Sequence, residues 1–412
     1  MDFGRLDEIR DELIALYRDL HAHPELSFQE HRTAAEVARR LEELGLEVST
    51  GVGGTGVVGV LRNGDGPTVL LRADFDALPV EERTGLDYAS TRRGTTADGT
   101  ESGVMHACGH DMHVTCLLGA LDVLVDARQR WSGTVLALFQ PAEEIGRGAQ
   151  AMLDDGLLER FPRPDVCLGQ HVFPFESGLV GMMSGPSMSA ADGLKITMFG
   201  RGAHGSQPQN SVDPVVMAAA TVLRLQTVVS REVGADETAV VTVGALHAGS
   251  KENIIPEKAE LLVNIRSFDE EVRGRVLEAV HRIARAEAAA SGAPREPEFD
   301  PSTRFPLLVN DADATARTAS AMRSGLGPEA VITLDRSMGS EDVGLFGTAA
   351  GVPTCYWFIG GTDPAEYRAA VERGTAARDI PSNHSPFFAP QIEPTLSTGV
   401  RALTAAALEW LG

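Results

Sequence analysis

Four short runs rich in apolar and β-branched residues constrain this fold most: PTVLLRADFDALP at 67–79, GTVLALFQPAEE at 133–144, PDVCLGQHVF at 164–173 and VPTCYWFIGG at 352–361. Their near-continuous apolar character is that of strands buried on both faces. Helical patterns separate several of them, notably HVTCLLGALDVLVDA at 113–127. Strand alternating with helix predicts an α/β fold with a largely parallel sheet covered by helices. In such sheets ligands gather beyond the carboxyl ends of the strands. Asp74 and Asp76, then Glu143 and Glu144, then His171 each arrive as one of these runs finishes. One edge of the sheet is therefore expected to collect acids and an imidazole.

Residues 190–303 follow a different pattern. Strand-like GLKITMFG leads to helix-like DPVVMAAATVLRLQTVVSR, strand-like AVVTVGALHAG and KAELLVNIRSF, helix-like DEEVRGRVLEAVHRIARAEAAA and strand-like PREPEFD. The order β-α-β-β-α-β predicts a ferredoxin-like α+β domain. Its flanks, SGPSMSAAD and PSTRFP, have the Ser, Pro and Gly content of crossovers between domains. At 412 residues the chain also exceeds the size at which one core stops growing. The expected division is a catalytic domain of 1–189 and 304–412 interrupted by an inserted domain of 190–303.

Composition narrows the function by exclusion. No apolar run approaches the ~20 residues of a membrane span, and a formal net charge of −22 argues against a phosphate backbone or an anionic membrane as partner. A small-molecule substrate is expected instead. The N-terminal MDFGRLDEIRDELIALYRDL reads as an amphipathic helix without the basic start and apolar centre of a secretion signal. The cysteines, Cys108, Cys116, Cys167 and Cys355, form no CxxC pair and are too few for a disulfide framework. Reduced thiols and a cytoplasmic location are the expectation.

Chemistry concentrates in MHACGHDMH at 105–113, where one residue separates Cys108 from His110, a spacing that points both side chains the same way from extended backbone. Thiolate and imidazole are good ligands for zinc or another first-row metal. His106 and His113 are read as packing or orienting residues. FQPAEE at 139–144 places two carboxylates straight after a strand. Adjacent side chains on extended backbone diverge, so one glutamate can face a metal while the other faces substrate and acts as a base. His171 and His384 add imidazoles from two further segments. In the inserted domain, His204 sits in the glycine-rich RGAHGSQP, Asn253 in KENIIP and Arg266 in LLVNIRSF. The last of these is suited to gripping a carboxylate.

Taken together, LHAHPELSFQE at 20–30, RADFDALPVEE at 72–82, MHACGHDMH, FQPAEE, QHVFP at 170–174, GRGAHGSQP, NIIP, SEDVGLF at 340–346 and NHSPFF give the chain a nearly end-to-end likeness. It resembles the aminoacylase and carboxypeptidase family of dinuclear metallohydrolases. Specifically, it resembles the amidohydrolase branch that includes hippurate hydrolases and plant indole-acetyl-amino-acid hydrolases. The resemblance implies that Cys108, His110, Glu144, His171 and His384 ligate two divalent ions, with Cys108 able to bridge them. It implies that Glu143 is the general base and that Asp76 orients an imidazole ligand. His204 would stabilise the oxyanion, within its own site or across a dimer interface, while Asn253 and Arg266 would bind the substrate carboxylate. The inserted domain would act as a lid and as a dimerisation surface. The expected reaction is attack of a metal-bound hydroxide on the amide carbonyl of an N-acyl amino acid, with Glu143 carrying the proton to the leaving nitrogen. The ligand set accommodates zinc, manganese, cobalt or nickel. A dipeptidase or carboxypeptidase would use the same chemistry, and a metal-binding regulatory relative without catalysis is the non-enzymatic alternative.

Overall fold

A computed structural model, describing residues 3–412, divides into two compact units. The first comprises residues up to 185 together with 309–335 and 342–412, and the second comprises 186–308 and 336–341. In chain order the first unit opens with helices α1 (Gly4–Ala22) and α2 (His31–Glu43) and strands β1 (Glu47–Val52), β2 (Gly56–Asn63) and β3 (Thr68–Asp74). It continues with α3 (His110–Asp126), β4 (Gly133–Gln140), β5 (Val166–Glu176) and β6 (Val180–Met182). The second unit supplies β7 (Ala190–Phe199), α4 (Pro214–Glu232), β8 (Ala239–Ala248), β9 (Lys258–Ser267), α5 (Glu270–Ala290) and β10 (Glu298–Phe305). The chain then returns to the first unit for α6 (Ala312–Leu326), β11 (Val331–Thr333), β12 (Thr354–Thr362) and α7 (Ile392–Leu411).

The first unit is built on an eight-stranded sheet of order β1-β2-β4-β3-β5-β12-β6-β11. Its centre, β4-β3-β5-β12, is parallel throughout, and the antiparallel pairings lie towards the two sides. The α/β class read from the apolar runs is thus the class observed. Every residue of β4 is buried, which explains a strand that reads apolar without alternation. Helix α3 is buried on nearly all sides and packs on α1, α7 and β3. Such an element has little polar face to show. The edge pair β1 and β2 lies outside the four runs singled out above, although GVVGVLRN carries the same apolar signal and six of its residues are buried.

The second unit has a four-stranded antiparallel sheet of order β8-β9-β7-β10. Helices α4 and α5 bury Met217, Leu225, Val276 and Ile283 in a common core with Ile196, Leu261 and Ile265 of the sheet. Asp213 and Asp269 cap the two helices by accepting amide N–H groups of their first turns.

Candidate metal centre

The site lies in the first unit, where α3 begins and β3, β4 and β5 bring their polar residues together. Cys108 and His110 do not share extended backbone. Gly109 between them has φ +83° and caps α3, so His110 starts a helix while Cys108 sits in the turn before it. The left-handed conformation suits glycine, and it brings the two side chains to one place by a turn of the chain. Glu143 and Glu144 likewise lie on a turn: Ala142 has φ +50°, and the amide of Gly146 donates to Glu143 O at 2.7 Å. Gly148 closes that turn so tightly that a Cβ there would lie 1.5 Å from Pro141 O. His171 is inside β5 rather than at its end. His384 takes φ +70° and is tied by its amide to Ala107 O at 2.8 Å.

These segments converge. Cys108 Sγ is 3.3 Å from His171 Nε2, His110 Nε2 is 3.7 Å from Glu144 Oε1 and 3.9 Å from Glu143 Oε2, and His384 Nε2 is 3.3 Å from Glu144 Oε2. Donor atoms of Cys108, His110 and His171 lie within 4.8 Å of one another, as do those of Cys108, Glu144 and His384, so the thiol belongs to both sets. All but His384 are largely withdrawn from solvent; the side chain of His384 is 56% exposed, at the mouth.

The hydrogen bonds fix the tautomers. His171 Nδ1 donates to Val172 O at 2.8 Å, leaving the Nε2 lone pair beside Cys108. His113 is fully occupied. Its Nε2 accepts the amide of Val172 at 2.8 Å, so its Nδ1 carries the proton that goes to Asp74 Oδ1 at 2.5 Å. That removes His113 from the candidate ligands and makes it a brace for the strand bearing His171. Asp76 lies 3.4 Å from His110 Nδ1 and accepts the amides of Glu143 and Glu144, each at 3.1 Å. Asn383 donates to Cys108 O at 3.3 Å and to Val172 O at 3.1 Å, linking three ligand-bearing segments.

Beneath the site is a buried ionic network that sequence reasoning missed. The Arg72 guanidinium donates to Gln140 Oε1 at 2.9 Å, Asp74 Oδ2 at 2.6 Å and Asp342 Oδ1 at 3.2 Å. Burial opposes the charge on Asp74, yet Arg72, His110 and His113 outweigh it and hold the carboxyl well below its usual range. A second buried group, His21, bonds Asp111 at 2.7 Å and Glu82 at 3.1 Å. Burial alone would lower its pKa, but the two carboxylates raise it to about 10. The nearby imidazole of His106 is also buried, and burial lowers its pKa to about 4.

The donor set fits divalent cations. His110 Nε2 and Oε1 of Glu144 are buried with no hydrogen-bond partner among the described residues, each an omission that ordinarily costs ~1–3 kcal/mol. Burial pushes Glu144 up to about 8 despite His110, and burial followed by the charges of Glu144 and Glu143 pushes the Cys108 thiol well above its ordinary value. Burial and neighbouring His113 hold His171 neutral, the form that ligates. Burial opposes the charge on His110, yet Asp74, Asp76 and Glu144 raise its pKa to about 10, so the acids crowded here already draw positive charge into the site, as a bound cation would supply it.

The remaining expected residues belong to the second unit. His204 and Asn253 are brought together: His204 pairs with Ile254, and the amide of Gly205 donates to Asn253 O at 2.7 Å. His204, Phe199 and Lys258 line a cavity of about 880 Å³ at that end of the sheet. Arg266 stands near the other end of β9, roughly 26 Å from Lys258 at the rise of a strand, where its Nη1 donates to Met338 O at 2.6 Å and Ser340 Oγ at 3.1 Å. The three do not form one pocket within a single second unit.

Comparison with known proteins agrees with the geometry. The chain is 36% identical over 358 residues to thermostable carboxypeptidase 1 of Saccharolobus solfataricus, covering 86% of each chain. It is 37% identical over 342 residues to hippurate hydrolase of Campylobacter jejuni, covering 82% of this chain and 86% of that one. The crystal structure of the Bacillus subtilis YXEP protein, a dinuclear metal binding peptidase from the M20 family, superposes with a TM-score of 0.75 at 30% identity, covering 98% of this chain and 99% of that one. Residues 70–408 match peptidase family M20/M25/M40, and with these relatives and this donor set the chain belongs to that family.

Proposed function

We propose that the protein is a metal-dependent amidohydrolase that cleaves N-acyl amino acids to a carboxylic acid and a free amino acid. The observation that carries this reading is the sharing of Cys108 between the set with His110 and His171 and the set with Glu144 and His384. A shared thiolate suits two ions side by side. Cys, His and carboxylate donors suit zinc, manganese, cobalt or nickel. When bound, such ions lower the pKa of water and polarise a carbonyl oxygen.

The chain's own residues supply the rest. Glu143 is buried beside the donor atoms, so its carboxylate would take the proton of the attacking water and deliver it to the leaving nitrogen. Asp76 would hold His110 in ligating orientation while fixing the backbone of both glutamates. We assign His204 to the oxyanion and Asn253 and Arg266 to the substrate carboxylate; because His204 and Asn253 stand apart from Arg266 within the second unit, the two groups would serve different substrate molecules, which calls for a second copy of the chain. Exposed Val216 and Leu223 on α4 support self-association through the second unit. The four buried free cysteines suit a reducing, cytoplasmic setting.

Peptide hydrolysis is the second reading, favoured by the identity to a carboxypeptidase. The test is to strip metal with a chelator, restore zinc, manganese, cobalt and nickel one at a time, and follow amine release from N-acyl amino acids and dipeptides. Metal-dependent release with N-acyl amino acids preferred is the expected outcome. Preference for dipeptides selects the second reading, and no release from any pairing refutes both.

A further inference from the structure

The motif LHAHPELSFQE at 20–30 is not absorbed by the proposed chemistry, yet it reaches the turn that carries both glutamates. The segment runs beside the residues that follow β3: Leu26 bridges Ala77, and the amide of Ala77 donates to Glu25 O at 2.8 Å. Ser27 Oγ donates to Asp76 Oδ2 at 2.7 Å. Glu30, fully buried at the start of α2, accepts the amide of Ala142 on Oε1 at 2.9 Å and the hydroxyl of Thr55 on Oε2 at 2.5 Å.

Three successive amides are therefore held by two buried carboxylates, Ala142 by Glu30 and Glu143 and Glu144 by Asp76. The geometry matters because Ala142 takes φ +50°. A non-glycine residue there is strained by ~1–2 kcal/mol and stays only where its surroundings over-determine it. If the Ala142 amide were released, the residue would relax towards ordinary backbone and turn the next two side chains away from the donor cluster.

We propose that Glu30 is a positioning residue for the proton-transferring Glu143 and its neighbour Glu144, acting through the Ala142 amide and aligned by Thr55. This rests on the amidohydrolase reading for its kinetic consequence, but not for its structural one. A purely structural carboxylate would stabilise the whole unit, whereas a positioning residue acts on one turn.

The test compares Glu30→Leu with Glu30→Gln in the full chain. Glutamine keeps an oxygen for the Ala142 amide and can donate to Thr55 through its NH2. In Glu30→Leu, amide hydrogen exchange in a peptide covering 141–146 should accelerate while exchange in β4 and α3 stays as in the parent, and kcat should fall about 10- to 100-fold with KM little changed. Glu30→Gln should restore most of both. Unchanged exchange in the 141–146 peptide of Glu30→Leu overturns the proposal. So does exchange that accelerates throughout the unit, or equal loss in both variants. If the parent protein hydrolyses no amide, the functional reading fails, and the exchange comparison still decides the role of Glu30.

Discussion

Replacing Arg72 with methionine removes the guanidinium bonded to both Asp74 and Asp342 beneath the site, and its cost follows from what stays behind. The Arg72, Asp74 and Asp342 side chains are all fully buried. After the change Asp74 keeps His113, and Asp342 keeps Gln140 Nε2 at 2.7 Å and the Ala149 amide at 3.1 Å. Asp74 also keeps His110 Nε2 at 3.5 Å, so what is lost is the guanidinium that the two carboxylates share. Breaking one side of a buried ion pair costs about 3–5 kcal/mol, because the abandoned charge has no water to return to. For a unit of this size that lowers the melting midpoint by on the order of 10 °C. All three tryptophans, Trp131, Trp357 and Trp410, lie in the first unit, so intrinsic fluorescence reports that unit alone. The sign with pH is defined. Asp74 is held below its ordinary pKa in the parent, so its contribution is present above about pH 4 and is lost as pH falls; the variant has no such contribution to lose. The gap between the two proteins should narrow on acidification. The double variant with Asp74→Asn should cost less than the sum of the single changes. A loss below about 1 kcal/mol, or strict additivity, would refute the account of this network.

Three further outcomes are expected. His21 is raised from 6.5 to about 10 by Asp111 and Glu82 against its burial, so its stabilisation is complete below about pH 6.5 and lost as pH rises towards 10; the melting midpoint should fall across that window, and less steeply in His21→Gln. His113→Phe leaves the Val172 amide unpaired and loosens His171, so competition with a chelator should show metal affinity about 10- to 100-fold weaker; unchanged affinity would remove His113 from its bracing role. Gly148→Ala forces a Cβ against Pro141 O, and should lower both kcat and the melting midpoint, whereas a neutral result would mean that the turn yields without moving the glutamates.

Much of the α/β architecture was legible because strands buried on both faces must be apolar along their length, as β4 is. The second unit was legible because alternating and helical periods follow one another in a recognisable order. The ends of the apolar runs were enough to gather Asp74, Asp76, Glu143, Glu144 and His171 at one sheet edge, whereas the inclusion of His384 and the choice of Glu144 over Glu143 as ligand followed from the family resemblance. The local geometry could not be anticipated. Spacing suggested extended backbone at Cys108 and at Glu143, whereas positive φ at Gly109 and Ala142 builds turns, and nothing in an alanine announces that conformation. Arg72 meets Asp342 across 270 residues, and Glu30 meets Ala142 across 112; such pairings leave no local periodicity. His106 and His113 are indistinguishable by spacing from a ligand. Only the Val172 amide and Asp74 show that the second is already fully engaged. The separation of Arg266 from His204 is a matter of strand length: His204 shares a cavity with Lys258 at one end of β9, and Arg266 stands near the other.

The most direct test of the central claim compares Glu143→Gln with Glu144→Gln, measuring bound metal per chain and turnover on the same samples. The account predicts that Glu143→Gln keeps the parent's metal content while kcat falls by about 10²- to 10⁴-fold, the usual worth of a general base. Glu144→Gln should lose metal together with activity. Retained turnover in Glu143→Gln, or loss of metal there with full loading in Glu144→Gln, would contradict it.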